Sequence, residues 1–485
     1  MLDRIKVLES EARRLEPAPA QRQAWNASVQ QYADDFLNSI DQRQAYETSE
    51  DYGRALQDLP VTDEPKSLDS LLALLGTHVD GVGLNPASGR HFGYVPGGGV
   101  FPAALGDYLA AVSNRYAGIF FGSPGAVRLE NQLIRWMCQI IGYPEGSLGN
   151  LASGGSIANL VAITTARDFK QIRAQQVPQA VIYLTPQVHH CVQKALRIAG
   201  LAEARIHYVP MDAHFRMDAV ALRQMVQTDL AKGLKPFLVV ASAGTTDTGA
   251  LDPLDAIADV AADFDLWYHI DAAYGGFFVL LDEWRPQFKG IERSDSVAID
   301  PHKGLFLPYG LGAILIKNVE AAFHSHHYVA NYMQDALKLA DELSPADLSP
   351  ELTKHFRGLR LWMSLHLLGL APFKAALEEK ILLCRYFYER IQTLGFEVGP
   401  YPDLSIMIYR YVPADGSDAN TFNEQLVEYV QRDGRVFLSS TLIDGVFWIR
   451  LAVLSFRSHI TDIDLCISIL HTGVVHLRQP IEAAS

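Results

Sequence analysis

Between about residue 90 and residue 360 the chain alternates short apolar runs with longer stretches of helical periodicity. Val181 to Leu184, Phe237 to Ala241, Leu266 to Ile270, Ser296 to Ile299 and Ala313 to Ile316 are the clearest strands. Such alternation predicts a mainly parallel sheet with helices on both faces. Ahead of it, Trp25, Val29, Tyr32, Phe36 and Ile40 recur at three- and four-residue steps, one face of an amphipathic helix. This arm is too small to fold alone, and Pro60 to Pro65 looks like a linker. After Trp362 the pattern shifts to a helix and then to strands at Leu404 to Tyr411 and Phe447 to Leu451, a smaller α+β domain. The expected division is an arm over 1–85, a large domain over 86–362 and a small domain over 363–485. No internal repeat or low-complexity tract interrupts it.

Composition narrows the class. With 485 residues, 49% of them hydrophobic, the chain can bury a large core. Its 41 basic and 55 acidic residues leave a net charge of −14, which disfavours nucleic acid and anionic membranes as partners. No continuous apolar run approaches about 18 residues, so no membrane span is expected. The N-terminal Met1-Leu-Asp-Arg-Ile-Lys lacks a secretory apolar core. Cys138, Cys191, Cys384 and Cys466 are scattered without metal-ligand spacing and read as reduced thiols in a cytoplasmic protein. His324, His326 and His327 cluster without a matching carboxylate or cysteine, so no metal is expected.

Three segments carry candidate chemistry. Ser296-Val-Ala-Ile-Asp-Pro-His-Lys303-Gly places a lysine just past a strand end, suited to forming an imine with an aldehyde. The plain alternative is a surface lysine after a turn. Leu266-Trp-Tyr-His-Ile-Asp271-Ala-Ala273-Tyr ends a buried strand in a carboxylate, which needs a partner there. A protonated pyridine nitrogen is one such partner; capping the next helix is the alternative. Ala273, on the same side by strand alternation, is small enough for a flat ring to lie against. In Asn150-Leu-Ala-Ser153-Gly-Gly155-Ser156-Ile-Ala-Asn159, glycines precede a helix whose first amides and the Ser156 hydroxyl suit a phosphate. No Walker-type lysine follows, which argues against a nucleoside triphosphate.

Together these segments resemble the pyridoxal-phosphate-dependent group II amino acid decarboxylases, among them the aromatic-L-amino-acid, glutamate and cysteine sulfinate enzymes. The resemblance runs in order from about residue 70 to the C-terminus. It includes Phe92-Gly-Tyr94-Val95-Pro96, Ser123-Pro124, Leu129-Glu130, the Ser-Gly-Gly-Ser turn, Gln187-Val-His189, Gly244-Thr-Thr246, His269-Ile-Asp271, Asp300-Pro-His-Lys303, Leu348-Ser-Pro-Glu351 and Trp448-Ile-Arg450-Leu. It implies an aspartate-aminotransferase-like, fold type I α/β enzyme with pyridoxal 5'-phosphate as cofactor. It also implies a homodimer whose N-terminal arm packs on the second subunit.

By that resemblance Lys303 holds the cofactor, Asp271 faces its ring nitrogen, and His189 stacks on the ring opposite Ala273. Thr246 lies near the ring substituents, and Asp300 and His302 lie near the phosphate and the imine. A carboxylate at 300 would repel a phosphate, so its backbone or a protonated neighbour is expected to make that contact. Tyr332, in the long polar stretch from Tyr328 to about Pro350, matches a mobile-loop tyrosine that returns a proton to the α-carbon. Phenylalanine at that position goes with aldehyde formation, so tyrosine favours simple decarboxylation. Tyr328 as donor, or neither tyrosine, is the alternative.

Substrate choice is less sharply written. Tyr94 and Val95 match a segment lining the side-chain pocket, where an aromatic residue is usual at position 95. Tyr116, Phe120 and Phe121 offer apolar walls across a subunit interface, or plain core. Arg115 or Arg128 would instead suit an acidic side chain. The leading expectation is α-decarboxylation of an aromatic L-amino acid. An acidic-substrate decarboxylase, an aldehyde synthase or aminotransferase, and a non-catalytic dimeric binding protein are the alternatives.

Overall fold

Asp271 and Lys303 belong to one seven-stranded sheet in the computed structural model, which describes residues 1–328 and 342–478. Its strands are β1 (Leu148–Ala152), β2 (Ala180–Leu184), β3 (Arg205–Tyr208), β4 (Lys235–Ser242), β5 (Trp267–Asp271), β6 (Ser296–Ile299) and β7 (Gly312–Ile316). They are ordered β1-β7-β6-β5-β4-β2-β3. β3, β2, β4, β5 and β6 pair in parallel, whereas β7 runs antiparallel to both its neighbours. Most of these strands are buried at every position, as strands covered by helices on both faces must be. All five strands expected from the apolar runs are present, with ends moved by one or two residues.

The small domain is an antiparallel sheet of β8 (Phe396–Val398), β9 (Ile406–Tyr411), β10 (Ser439–Ile443) and β11 (Val446–Ala452), ordered β8-β9-β11-β10. Its expected boundary at residue 362 falls inside the helix Gly358–Leu368. The long helix Ala371–Gln392 marks the junction better. Phe373, Leu377 and Ile381 join the large core, whereas Leu383, Cys384, Phe387 and Ile391 join the small one. Helical periodicity runs on through the change of core, so it carries no sign of the boundary.

The helix Ile460–Leu477 is long and apolar enough to cross a membrane, with mean hydropathy 1.4. Asp462, Asp464, His471 and His476 interrupt its apolar run, which is why no continuous stretch stands out. Ile463, Cys466, Ile467 and Leu470 bury one face in the small-domain core, as an amphipathic core helix does.

Helices α1 (Leu2–Ala12) and α2 (Pro19–Asn38) form the N-terminal arm. Neither buries a single residue, and Trp25 and Val29 stay exposed. Of the face read from the sequence, Trp25 and Val29 are thus left uncovered by their own chain, whereas Tyr32 and Phe36 are half-buried and Ile40, past the helix end, is buried. Helix α3 (Phe101–Ser113) likewise exposes Phe101, Leu105, Tyr108, Leu109 and Val112. Where the end of α2 and the start of α3 meet the helix Ala371–Gln392 lies an apolar groove of about 810 Å³, lined by Leu37, Phe101, Leu368, Phe373 and Phe456 among others.

Candidate active site

A cleft of about 460 Å³ opens where the parallel strands end. Each strand delivers its polar residues at its carboxyl end, the usual ligand position in such sheets. The turn after β1 gives Ser153 to Ser156. The segment after β2 gives Gln187 and His189, that after β4 gives Gly244 to Thr246, β5 ends in Asp271, and β6 leads into Asp300, His302 and Lys303. Gly155, Ser156, His189, Thr246, Asp271, Ala273, Asp300, His302 and Lys303 thus line one cavity. Asp271 and Lys303 meet there because β5 and β6 are parallel neighbours, with Asp271 in register with Ala298.

Helix α4 (Gly155–Phe169) begins at the cleft with no side-chain cap from its N-cap residue Gly154, and its positive end with the Ser156 hydroxyl faces the ligand space. Gly155 is needed for close approach: a Cβ there would lie 3.0 Å from Asp300 Oδ2 and 3.3 Å from Ala273 Cβ. The Gly155 N–H donates to Asp300 Oδ2 at 3.1 Å, and Lys303 Nζ lies 3.6 Å from the same oxygen. Asp300 therefore ties the glycine turn to the lysine-bearing segment. Burial raises its pKa, weakening the charge that would repel a nearby phosphate. Gly312, which the sequence reading passed over, lets that carboxylate fit. A Cβ at 312 would lie 2.4 Å from Asp300 Oδ1 and 2.6 Å from the Gly154 carbonyl carbon.

The histidines are set by local bonds. His189 stands at the N-cap of α5 (His190–Ile198), where its Nδ1 accepts the Cys191 N–H at 3.3 Å. Burial lowers its pKa, so the ring is neutral with Nε2–H as its free donor. His302 donates from Nδ1 to the Leu311 carbonyl at 2.7 Å, and burial lowers its pKa as well. Asp271 accepts the Ala273 N–H at 3.1 Å on one oxygen and an Asn159 amide hydrogen at 3.2 Å on the other.

Other expected residues lie elsewhere. Tyr94 is exposed against the His91 and Phe437 rings, Val95 is half-buried, and Phe120 is buried beneath the Arg128 guanidinium, 5.1 Å from its ring centroid. None of the three lines the cleft within one chain. They belong to segments outside the seven-stranded sheet, before α3 and before the helix Pro124–Ile141. Tyr332 lies outside the described residues. His326 bonds the Thr164 and Thr165 hydroxyls and His327 bonds Asp347, so the histidine cluster does not converge. Among the described residues no three His, Cys, Asp or Glu side chains are grouped to hold a metal.

Arg450 is a residue whose importance the sequence reading left unassigned. Its buried guanidinium donates to the carbonyls of Gly93 (3.0 Å), Asp247 (3.1 Å) and Thr246, and to Ser439 Oγ (2.8 Å). It therefore fastens the Tyr94 segment and the small domain to the cleft.

These residues fit pyridoxal phosphate. Lys303 would hold its aldehyde, Asp271 its ring nitrogen, and the uncapped start of α4 with Ser156 its phosphate. Two buried side-chain oxygens on the cleft wall, Gln187 Oε1 and Asp300 Oδ1, have no hydrogen-bond partner among the described residues. Cavity, uncapped helix and lysine beside a strand-end carboxylate define the class as a fold type I pyridoxal-phosphate enzyme.

Comparison with known proteins gives the family. The family model described as the pyridoxal-dependent decarboxylase conserved domain matches residues 51–412, and the chain belongs to that family. It is 33% identical to the aromatic-L-amino-acid decarboxylase of Bacillus atrophaeus over 79% of each chain. It is 29% identical to tyrosine decarboxylase 2 of Arabidopsis thaliana, over 82% of this chain and 76% of that one. The crystal structure of Oryza sativa TDC with PLP and tryptamine superposes with TM-score 0.90 at 24% identity, covering 96% of this chain and 99% of the other. The protein is a pyridoxal-phosphate-dependent decarboxylase, a lyase of the fold type I class.

Proposed function

We propose that the enzyme removes the α-carboxylate of an aromatic L-amino acid to give the amine and carbon dioxide, acting as a homodimer in the cytoplasm. The likeness to named aromatic amino acid decarboxylases carries the aromatic reading, and the cleft lining agrees with it, with Lys303 its sole lysine or arginine among the described residues. An acidic side chain requires a cation at its subsite. Arg128, one candidate for that role, instead lies over the Phe120 ring. The named relatives that act on tyrosine and tryptophan support the same reading.

When bound, the cofactor supplies a cationic heteroaromatic system that accepts the electron pair left by the departing carboxylate. Lys303 presents the amine that anchors it, and Asp271 holds the opposite end of the ring. His189 offers its Nε2–H to the substrate carboxylate, and the buried walls around it favour loss of that charge as neutral gas. Tyr332 is assigned the proton returned to the α-carbon.

A second copy is the occupant we assign to the exposed apolar residues of α1, α2 and α3 and to the apolar groove at the start of α3. Four buried, unpaired cysteines suit a reducing compartment. The test is a panel of amino acids with carbon dioxide, amine, ammonia and peroxide measured together. Tyrosine, tryptophan or dopa should give carbon dioxide and amine in equal amounts without peroxide. Turnover of glutamate alone refutes the aromatic assignment, and peroxide with ammonia refutes simple decarboxylation.

A further inference from the structure

Strand β5 is buried on both faces, yet alternate positions Trp267, His269 and Asp271 carry polar groups on one face. Apolar side chains would be cheaper to bury there. The three are joined through Ser296, in register with His269 on β6, and through Asn159 of α4, which covers this face. Trp267 Nε1–H donates to Ser296 Oγ at 2.9 Å, and Ser296 Oγ is 2.9 Å from His269 Nδ1. His269 Nε2 is 2.7 Å from Asn159 Oδ1, and Asn159 Nδ2 donates to Asp271 Oδ2 at 3.2 Å.

Every proton in this chain has one possible direction. The Asn159 amide nitrogen also faces the Gly155 carbonyl at 2.9 Å, so its oxygen must face His269. His269 Nε2 must therefore donate. Burial pushes the His269 pKa down to about 4, so the ring is neutral and Nδ1 is free to accept the Ser296 hydroxyl. A flipped Asn159 would set its oxygen against both the Gly155 carbonyl and the Asp271 carboxylate. All four bonds point toward Asp271; the Asn159 amide nitrogen also lies 3.5 Å from Cys191 Sγ, and among the described residues none of the intermediate groups bonds an alternative charged partner.

We propose that Trp267, Ser296, His269 and Asn159 form a directed hydrogen-bond relay whose function is to hold the Asp271 carboxylate against the ring nitrogen of the cofactor. Asn159 and His269 are thus positioning residues. The inference rests on the reading that Asp271 is the ring-nitrogen partner, and the test separates the two.

The full-length chain is reconstituted with pyridoxal phosphate or with its analogue carrying carbon in place of the ring nitrogen, and both dissociation constants are measured. The wild type should prefer the nitrogen cofactor, and Asp271→Ala should lose that preference. Asn159→Ala and His269→Leu should reduce the preference roughly 10- to 100-fold, the worth of a hydrogen bond to a charged group. His269→Gln, which presents an amide donor toward Asn159 and an acceptor toward Ser296, should keep it within about threefold of wild type. Ser296→Ala, a small change remote from the cleft, should give an intermediate loss even if the larger substitutions do not fold. Equal weakening of both cofactors by Asn159→Ala, His269→Leu or Ser296→Ala, with the preference intact, would make the chain mere core packing and overturn the relay. If Asp271→Ala itself keeps the preference, the assignment of Asp271 fails and the relay falls with it.

Discussion

The two walls of this active site differ in how far one chain builds them. The cofactor wall is finished: Asp271, Asp300, His302 and Gly155 are fixed by strand ends, by buried hydrogen bonds and by one another. The substrate wall is not. Tyr94 and Phe121 are exposed, Phe120 faces Arg128, and the arm and α3 present apolar faces to solvent. Chemistry common to a cofactor is thus encoded in a rigid, locally satisfied core. Selection among substrates is left to surfaces whose final surroundings depend on assembly.

Removing the cofactor wall's reactive group should have the largest effect. Lys303→Ala is expected to lower turnover by at least about a thousandfold while leaving the fold intact, measured by amine production and circular dichroism. Preserved turnover would place the anchoring amine elsewhere. Next, Arg450→Met cuts the tie between the walls. With the Thr246 and Asp247 carbonyls left without their donor, unfolding free energy should fall by roughly 2–4 kcal/mol and the substrate KM should rise more than the cofactor dissociation constant. An effect confined to the cofactor would show that Arg450 serves that wall alone.

Gly312→Ala probes the cofactor wall's tightness. The added methyl meets Asp300 Oδ1 and the Gly154 backbone, so a loss of about 1–3 kcal/mol with weaker cofactor binding is expected from denaturation and fluorescence titration. On the other side, Phe101→Asp should shift the protein toward monomer in sedimentation while each chain still melts cooperatively. An unchanged dimer would move the interface away from α3.

The last expected effect, on acid stability, bears on both walls at once. Burial lowers His91 and His269 from 6.5 to about 4, so the unfolded chain takes up protons first as pH falls. Their stabilisation is complete above about pH 6.5 and is lost toward pH 4. Asp252, raised by burial from 3.8 to about 6, works in the opposite sense over that range. Two histidines against one carboxyl give a net loss of a few kcal/mol on going from about pH 7 to pH 4, read from urea midpoints. His91→Asn should flatten the slope; an unchanged slope would contradict this assignment.

Much of the cofactor wall was legible in the sequence because strand ends are written as apolar runs stopped by a carboxylate or a glycine turn. Asp271, Lys303 and Gly155 were found that way. Roles that depend on contacts across the fold were not. Gly312 matters only because Asp300 from another strand fills the space above it, and Arg450 gathers carbonyls from residues some two hundred to three hundred and fifty positions away. The alternation Trp267, His269, Asp271 was visible, but its meaning needed Asn159 from α4 beside it. The substrate wall was hardest, since Tyr94, Val95 and Phe120 can be judged only beside whatever covers them.

The most direct test is to treat the purified, cofactor-loaded protein with borohydride, digest it and map the lysine that carries the cofactor by mass spectrometry. The account predicts the modification on the peptide containing Lys303 and its absence from Lys303→Ala protein. Modification at a different lysine, or none in protein that still turns over amino acids, would contradict it.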